Sequence, residues 1–381
     1  HVINAIKSMT SKLSQQNYIG CLLGGAIGDS LGAPIEFLNI AEINHLYGIS
    51  GVQGYVEYTD GTGEFTDDTQ MTLFTAEGLL RAWHRAMERG IVGAMHLIVH
   101  DSYLRWLHTQ GESIPLGQYN RAMSISPAEN GWLLRQKALF KRRAPGNACL
   151  SALKSGITGT LENPINDRKG CGGIMRMAPV GLSFSGRNEY SFETAVDFAA
   201  FTHGHPSGYL SAGFFASIIS DLAVGVDLVE SVDNAMAILK KWKGNSETLH
   251  AVLKALNMYN INRNIISNKP GKIPGLIEEL GAGWVGEEAL AISLFCSLLY
   301  QNDFEKGILA AVNHSGDSDS TGSITGNILG LINGLNSIPK KWITNLRHNY
   351  IVRTIGEDLH TVIKSNSLDI DPEFWDKYPG T

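Results

Sequence analysis

Gly20-Cys21-Leu22-Leu23-Gly24-Gly25-Ala26-Ile27-Gly28-Asp29-Ser30-Leu31-Gly32 places a glycine at every fourth position of an otherwise largely apolar stretch. Residues four apart share one face of an α-helix, so this spacing leaves a face almost bare of side chains. A second backbone can then come as close as it does in the small-residue faces of membrane helix pairs. Near the far end of the chain, Gly322, Gly326, Gly330 and Gly334 repeat the spacing. The expectation is two helices, one from each end of the chain, crowded together in the middle of the molecule.

Around these ridges, apolar residues recur at three and four rather than two, the period of helices. From Met71 the set Phe74, Thr75, Gly78, Leu79, Ala82, Trp83, Ala86 and Met87 lies on one face, and Gly90 ends it as a C-cap would. Similar runs cover 195–223, 229–242, 248–258, 287–300 and 324–335. Only 48–63 alternates enough for a short extended piece, so the fold class is all-α, a compact single domain over 18–365. An N-terminal extension (1–17) and a C-terminal tail (366–381) flank it, the extension being a candidate arm for docking elsewhere.

Composition narrows the function. With 381 residues, 43% hydrophobic, the chain can bury a large core. Its 31 Lys and Arg against 37 Asp and Glu argue against nucleic acid or an anionic membrane as partner. The basic tract within 112–154 reads as a solvated face. Apolar stretches at 209–220 and 289–300 are too short to span a bilayer. Four scattered cysteines, with no Cys-x-x-Cys pair, fit a reducing cytoplasm. Glycine is in excess, 42 of 381 or about 11%, against roughly 7% on average. Since each costs about 1 kcal/mol in a helix relative to Ala, their clustering in the ridges and at 48–63, 170–173, 204–208 and 281–286 marks places where backbone must approach something closely.

Two acidic clusters carry the chemistry. Phe65-Thr66-Asp67-Asp68-Thr69-Gln70 opens the helix that runs on from Met71, and His314-Ser315-Gly316-Asp317-Ser318-Asp319-Ser320-Thr321-Gly322 precedes the second ridge. Capping alone explains either one. Together they offer four carboxylates and several hydroxyls, the all-oxygen set preferred by Mg²⁺ or Mn²⁺. An EF-hand is excluded because its twelfth position is Ile328 rather than Glu. A phosphatase or glycosyltransferase Asp-x-Asp would need a sheet that the sequence lacks.

These stretches, with Gly32-Ala33-Pro34-Ile35-Glu36-Phe37, Lys169-Gly170-Cys171-Gly172-Gly173-Ile174-Met175-Arg176 and Thr202-His203-Gly204-His205-Pro206, resemble the ADP-ribosylglycohydrolases in type and order from about Tyr18 to Leu335. The resemblance implies a binuclear Mg²⁺ or Mn²⁺ centre, with Thr66, Asp67, Asp68, Asp317, Asp319 and Ser320 as metal ligands. Glu36, Asp67 and Asp319 become the catalytic candidates, Glu36 handling the attacking water. The turn Gly170, Cys171, Gly172 and Gly173, with Met175 and His203, would bind substrate; Trp284 is a candidate to stack an adenine. The implied reaction removes ADP-ribose from a modified protein side chain, of arginine type, with the general acid unassigned. The resemblance leaves open a second role, as an immunity protein that blocks a cognate ADP-ribosyltransferase by binding it.

Overall fold

The computed structural model describes residues 13–90, 92–115, 130–266, 269–365 and 370–380, which contain seventeen α-helices, two isolated β-bridges and no strand. In chain order these are α1 (Gln15–Gly32), α2 (Ile40–Tyr47), α3 (Asp67–Arg89), α4 (Met95–Thr109), α5 (Asn147–Lys154), α6 (Ala178–Ser183), α7 (Asn188–Ala200), α8 (Pro206–Leu222) and α9 (Leu228–Leu239). There follow α10 (Ser246–Ile266), α11 (Ile273–Leu280), α12 (Gly286–Leu299), α13 (Phe304–Val312), α14 (Ser318–Asn333), α15 (Lys340–Thr344), α16 (Asn349–Lys364) and α17 (Pro372–Trp375).

The two ridges meet, antiparallel, as α1 and α14. A Cβ added at Gly20, Gly24 or Gly28 would stand 2.5, 2.3 or 2.0 Å from the carbonyl oxygens of Gly330, Gly326 and Gly322. The converse holds at 1.9 to 2.5 Å, so the two backbones touch directly along three successive turns. The fourth place is a correction. Gly334 does not continue the glycine-on-glycine ridge: it ends α14 at φ +75°, its backbone comes against Gly20 beside Gly330, and Ser318 takes the position opposite Gly32. Asn327 Nδ2 donates to Cys21 O at 2.8 Å and Asn17 Nδ2 to Leu331 O at 2.8 Å, which fixes the register.

By length and composition, residues 15–35 would suffice to cross a membrane, longer than either apolar stretch noted in the sequence. In the fold 89% of its most apolar window is buried in protein. Its bare face lies on α14, and α16 covers another side, where Gly356 comes against Ile19.

Other boundaries also moved. The run at 195–223 is two helices, broken where Gly204 sits against Asn166 O and Pro206 opens α8 behind the N-cap His205. Gln15–Asn17 belong to α1, so the extension ends earlier than expected; residues 1–12 lie outside the described residues. Nor is the end of the chain a free tail: Trp375 stacks on His84, and the buried Tyr378 hydroxyl donates to Asp358 at 2.5 Å. That packing joins 370–380 to the main core.

Candidate active site

Three helix ends converge. Helix α3 starts because Thr66 is extended (φ −98°, ψ −164°) and its Oγ1 accepts from Asp68 N, while Asp67 and Asp68 face the positive end of the helix dipole. Helix α14 starts on Asp317, whose Oδ1 accepts from Ser320 N at 3.4 Å. The last turn of α1 and the 3₁₀ turn Ala33–Ile35 bring in Asp29 and then Glu36. Ser320 Oγ donates to Asp68 Oδ2 at 2.7 Å and Thr66 Oγ1 lies 3.4 Å from Asp319 Oδ2, so the two acidic clusters form one site.

The residue this assembly turns on is one the sequence reading passed over. Asp29 is fully buried and accepts four hydrogen bonds, from Thr66 N (2.9 Å), Thr66 Oγ1 (2.8 Å), Thr69 N (3.2 Å) and Thr69 Oγ1 (2.6 Å). It clamps the start of α3 onto the end of α1. The signal was present: Asp29 is the only charged residue in the eighteen of α1, and a lone buried charge demands partners.

A cavity of about 310 Å³ opens over the cluster, lined by Glu36, Asp67, Asp68, Asp317, Asp319 and Ser320 and, on the far wall, by Gly170, Cys171, Gly172, Met175, His203 and Trp284. Thr66 and Gly173 sit behind this wall. Thr66 spends its hydroxyl on Asp29, and Gly173 lets the turn press on α8, a Cβ there standing 2.9 Å from Gly208 O. His203 is buried beneath the turn, its Cε1 2.9 Å from where a Gly172 Cβ would be. Its Nδ1 meets Thr202 Oγ1 at 2.8 Å, and burial and the nearby Arg176 push its pKa down to about 3, so it supports the turn as a neutral ring. The Cys171 thiol donates to Asp317 Oδ2 at 2.7 Å. Trp284 is a rim residue, 40% exposed and stacked on Phe37 (centroids 5.5 Å apart, planes 16° apart).

Residues 144–148 form the remaining wall, with Ala144 held at φ +52°, a conformation that costs a non-glycine residue about 1–3 kcal/mol. A second groove, about 610 Å³, shares Asn147 with the cavity and is lined by Arg142, Lys154 and Arg168 together with Glu112. The basic tract is therefore part solvated face and part groove wall. Glu112 pairs with Arg142 and Lys154, Glu57 with Arg143 and Glu64 with Lys141.

Among the described residues, no Lys or Arg lines the inner cavity. Burial first, and then repulsion from Asp29, Asp317 and one another, drives Asp67, Asp68 and Asp319 well above the carboxylate range; Glu36 rises to about 8 through burial and Asp317. Oxygens of Glu36, Asp317 and Asp319 lie within 4.8 Å of one another. A crowded, buried, all-oxygen anionic set without a side-chain cation suits hard divalent metal.

The model of the ADP-ribosylglycohydrolase family matches residues 10–369. The chain belongs to the ADP-ribosylglycohydrolase family. As an ADP-ribosylglycohydrolase it is similar to "ADP-ribosylarginine hydrolase Tri1" of Serratia proteamaculans, 23% identical over 89% of this chain and 78% of the relative. It is also similar to "ADP-ribosyl-[dinitrogen reductase] glycohydrolase" of Rhodospirillum rubrum, 21% identical over 95% of this chain and 100% of the relative. A solved "ADP-ribosylglycohydrolase-related protein complex" shares the fold, with a TM-score of 0.57 at 20% identity over 92% of this chain and 99% of that one.

Proposed function

We propose that this glycohydrolase removes ADP-ribose from arginine side chains of modified proteins, cleaving the N-glycosidic bond with the help of two divalent cations, Mg²⁺ or Mn²⁺. The observation that carries this reading is the carboxylate cluster at the base of a cavity that shares Asn147 with a groove lined by Arg142, Lys154 and Arg168. Asp67, Asp68, Asp317, Asp319 and Ser320 would hold the metals; Thr66, the sixth candidate, has its hydroxyl committed to Asp29 and would position Asp67 and Asp68 from behind. When bound, these ions supply Lewis acidity toward a water and the ribose hydroxyls.

The protein's own contributions follow from the geometry. Gly170 and Gly172 present backbone without side chains on the cavity wall, where ribose oxygens can come close, while the Cys171 and Gly146 N–H groups are donated to Trp284 O and Asp67 Oδ2 and hold the wall in place. Arg142, Lys154 and Arg168 give the diphosphate a cationic path outward, which leads the adenosine along the groove and away from Trp284. The carboxylate cluster favours the positive charge that grows on the ribose as the bond to nitrogen breaks. Glu36, half-buried at the mouth, is the candidate to take the proton from the attacking water. Water adds to the anomeric carbon, and the guanidine leaves with a proton.

Release of ADP-ribose from ADP-ribosyl-arginine protein tests the reading. It should need Mg²⁺ or Mn²⁺, stop with EDTA, and fall at least 100-fold in Asp67→Ala and Asp319→Ala. Hydrolysis undiminished by chelation and by both substitutions would sink it.

A further inference from the structure

We propose that Phe37 and Trp284 form the surface that reads the leaving group, and that they select a flat, cationic guanidinium over an uncharged one. The inference rests on the proposed function and extends it from the bond cleaved to the residues that choose the linkage.

Both rings stand where burial would not put them. Phe37 is 74% exposed and Trp284 40%, yet they stack on each other across the mouth of the cavity. Each is tied to the carboxylates. Phe37 follows Glu36 directly, and Glu36 shares the three-carboxylate cluster with Asp317 and Asp319. Trp284 is held from the other side: its carbonyl accepts from Cys171 N at 3.1 Å, and Asp317 N donates to Ala282 O at 2.8 Å, two residues before Trp284. A ribose held at the carboxylates thus has its neighbours divided between two different surfaces. The cationic groove shares Asn147 with the cavity but contains neither aromatic ring. The diphosphate is drawn to the groove, and the aromatic lip remains for the group on the other side of the scissile bond.

The chemistry of that lip favours a guanidinium. Among the described residues, no Lys or Arg lines the cavity to repel it. An aromatic face attracts a cation within about 6 Å, worth roughly 0.5–1 kcal/mol when exposed and 2 or more when water is excluded. A guanidinium is planar and weakly hydrated, so it stacks on such a face where a serine or other neutral linkage gains little.

The test compares kcat/KM for an ADP-ribosyl-arginine peptide with that for the same peptide carrying ADP-ribosyl-serine, using metal-loaded full-length protein. Trp284→Ala and Phe37→Ala should each lower the arginine-over-serine ratio by about 3- to 30-fold, mostly through KM, and Trp284→Phe should recover most of it. A purely structural role would reduce both substrates alike and leave the ratio unmoved, which would overturn the proposal, as would a wild type that prefers the serine link. Circular dichroism and Mn²⁺ affinity by calorimetry separate a folding or metal defect from a change of selectivity. Loss of all hydrolysis in the wild type would instead refute the underlying function.

Discussion

Gly326→Ala adds one methyl group where two backbones already touch. Its Cβ would stand 2.1 Å from Gly24 O and 2.5 Å from Gly24 C, about 1.3 Å short of ordinary contact with the oxygen, and neither obstacle can swing aside. Alanine gains about 1 kcal/mol in helix propensity, whereas overpacking costs about 1–3 kcal/mol and often more when backbone must move. Because separation must come from moving α1 and α14 apart, the upper part of that range applies, and a net loss of about 2 kcal/mol is expected. Gly275→Ala in α11 is the matched control, since nothing lies within 4 Å of a Cβ there; it should stabilise by roughly the full propensity gain. Urea unfolding followed by circular dichroism reads both. With a slope near 3 kcal/mol/M, Gly326→Ala should lower the midpoint by about 0.5–1 M and Gly275→Ala should raise it. A Gly326→Ala midpoint that rises alongside the control would refute the close approach of the helices.

Other outcomes follow from the site. Asp29→Asn keeps the shape but replaces an acceptor with a donor opposite Thr66 and Thr69, so it should cost about 2–3 kcal/mol and weaken Mn²⁺ binding at least 10-fold by calorimetry. In EDTA, the carboxylates raised by burial bind more protons folded than unfolded; for Glu36 the stabilisation is present below its ordinary 4.5 and is lost as pH climbs through about 8. The melting temperature of the metal-free protein should therefore fall between pH 5 and 8, and saturating Mg²⁺ should flatten or reverse that slope. Arg168→Ala with Lys154→Ala should raise KM for ADP-ribosyl substrate several-fold with little change in kcat, and the same loss should appear in wild type as salt is raised.

The helical class was legible because period and glycine spacing are local properties, and the α1 and α14 contact followed because both faces are bare for the same reason. The acidic clusters were legible as pairs of helix starts. Gly334 was misread because spacing alone does not separate a ridge glycine from a C-terminal glycine at positive φ. The groove was half legible: Arg142 and Lys154 both fall in the basic tract read as a solvated face, and Arg168 joins them on one wall only once α5 is placed. Trp284 is a candidate to stack an adenine in the sequence, and the fold sets it beside Phe37 on the lining of the cavity, a pairing that no local pattern announces. Asp29 looked like part of a motif and proved to be its clamp.

The pairing of α1 with α14 also sets an order of events during synthesis. Cys21 O and Asn327 Nδ2 are hydrogen-bonded at a separation of 306 residues. Helix α1 leaves the ribosome ahead of α14, apolar and with its bare face unmatched, and the residues that cover it follow only some 306 positions later. Until then the segment most easily mistaken for a membrane anchor lacks the partner of its bare face, and the acidic site lacks its second cluster. A protein released short of α14 would therefore be deficient in metal binding as well as in its core, and a nascent-chain chaperone would find α1 the segment in longest need of cover.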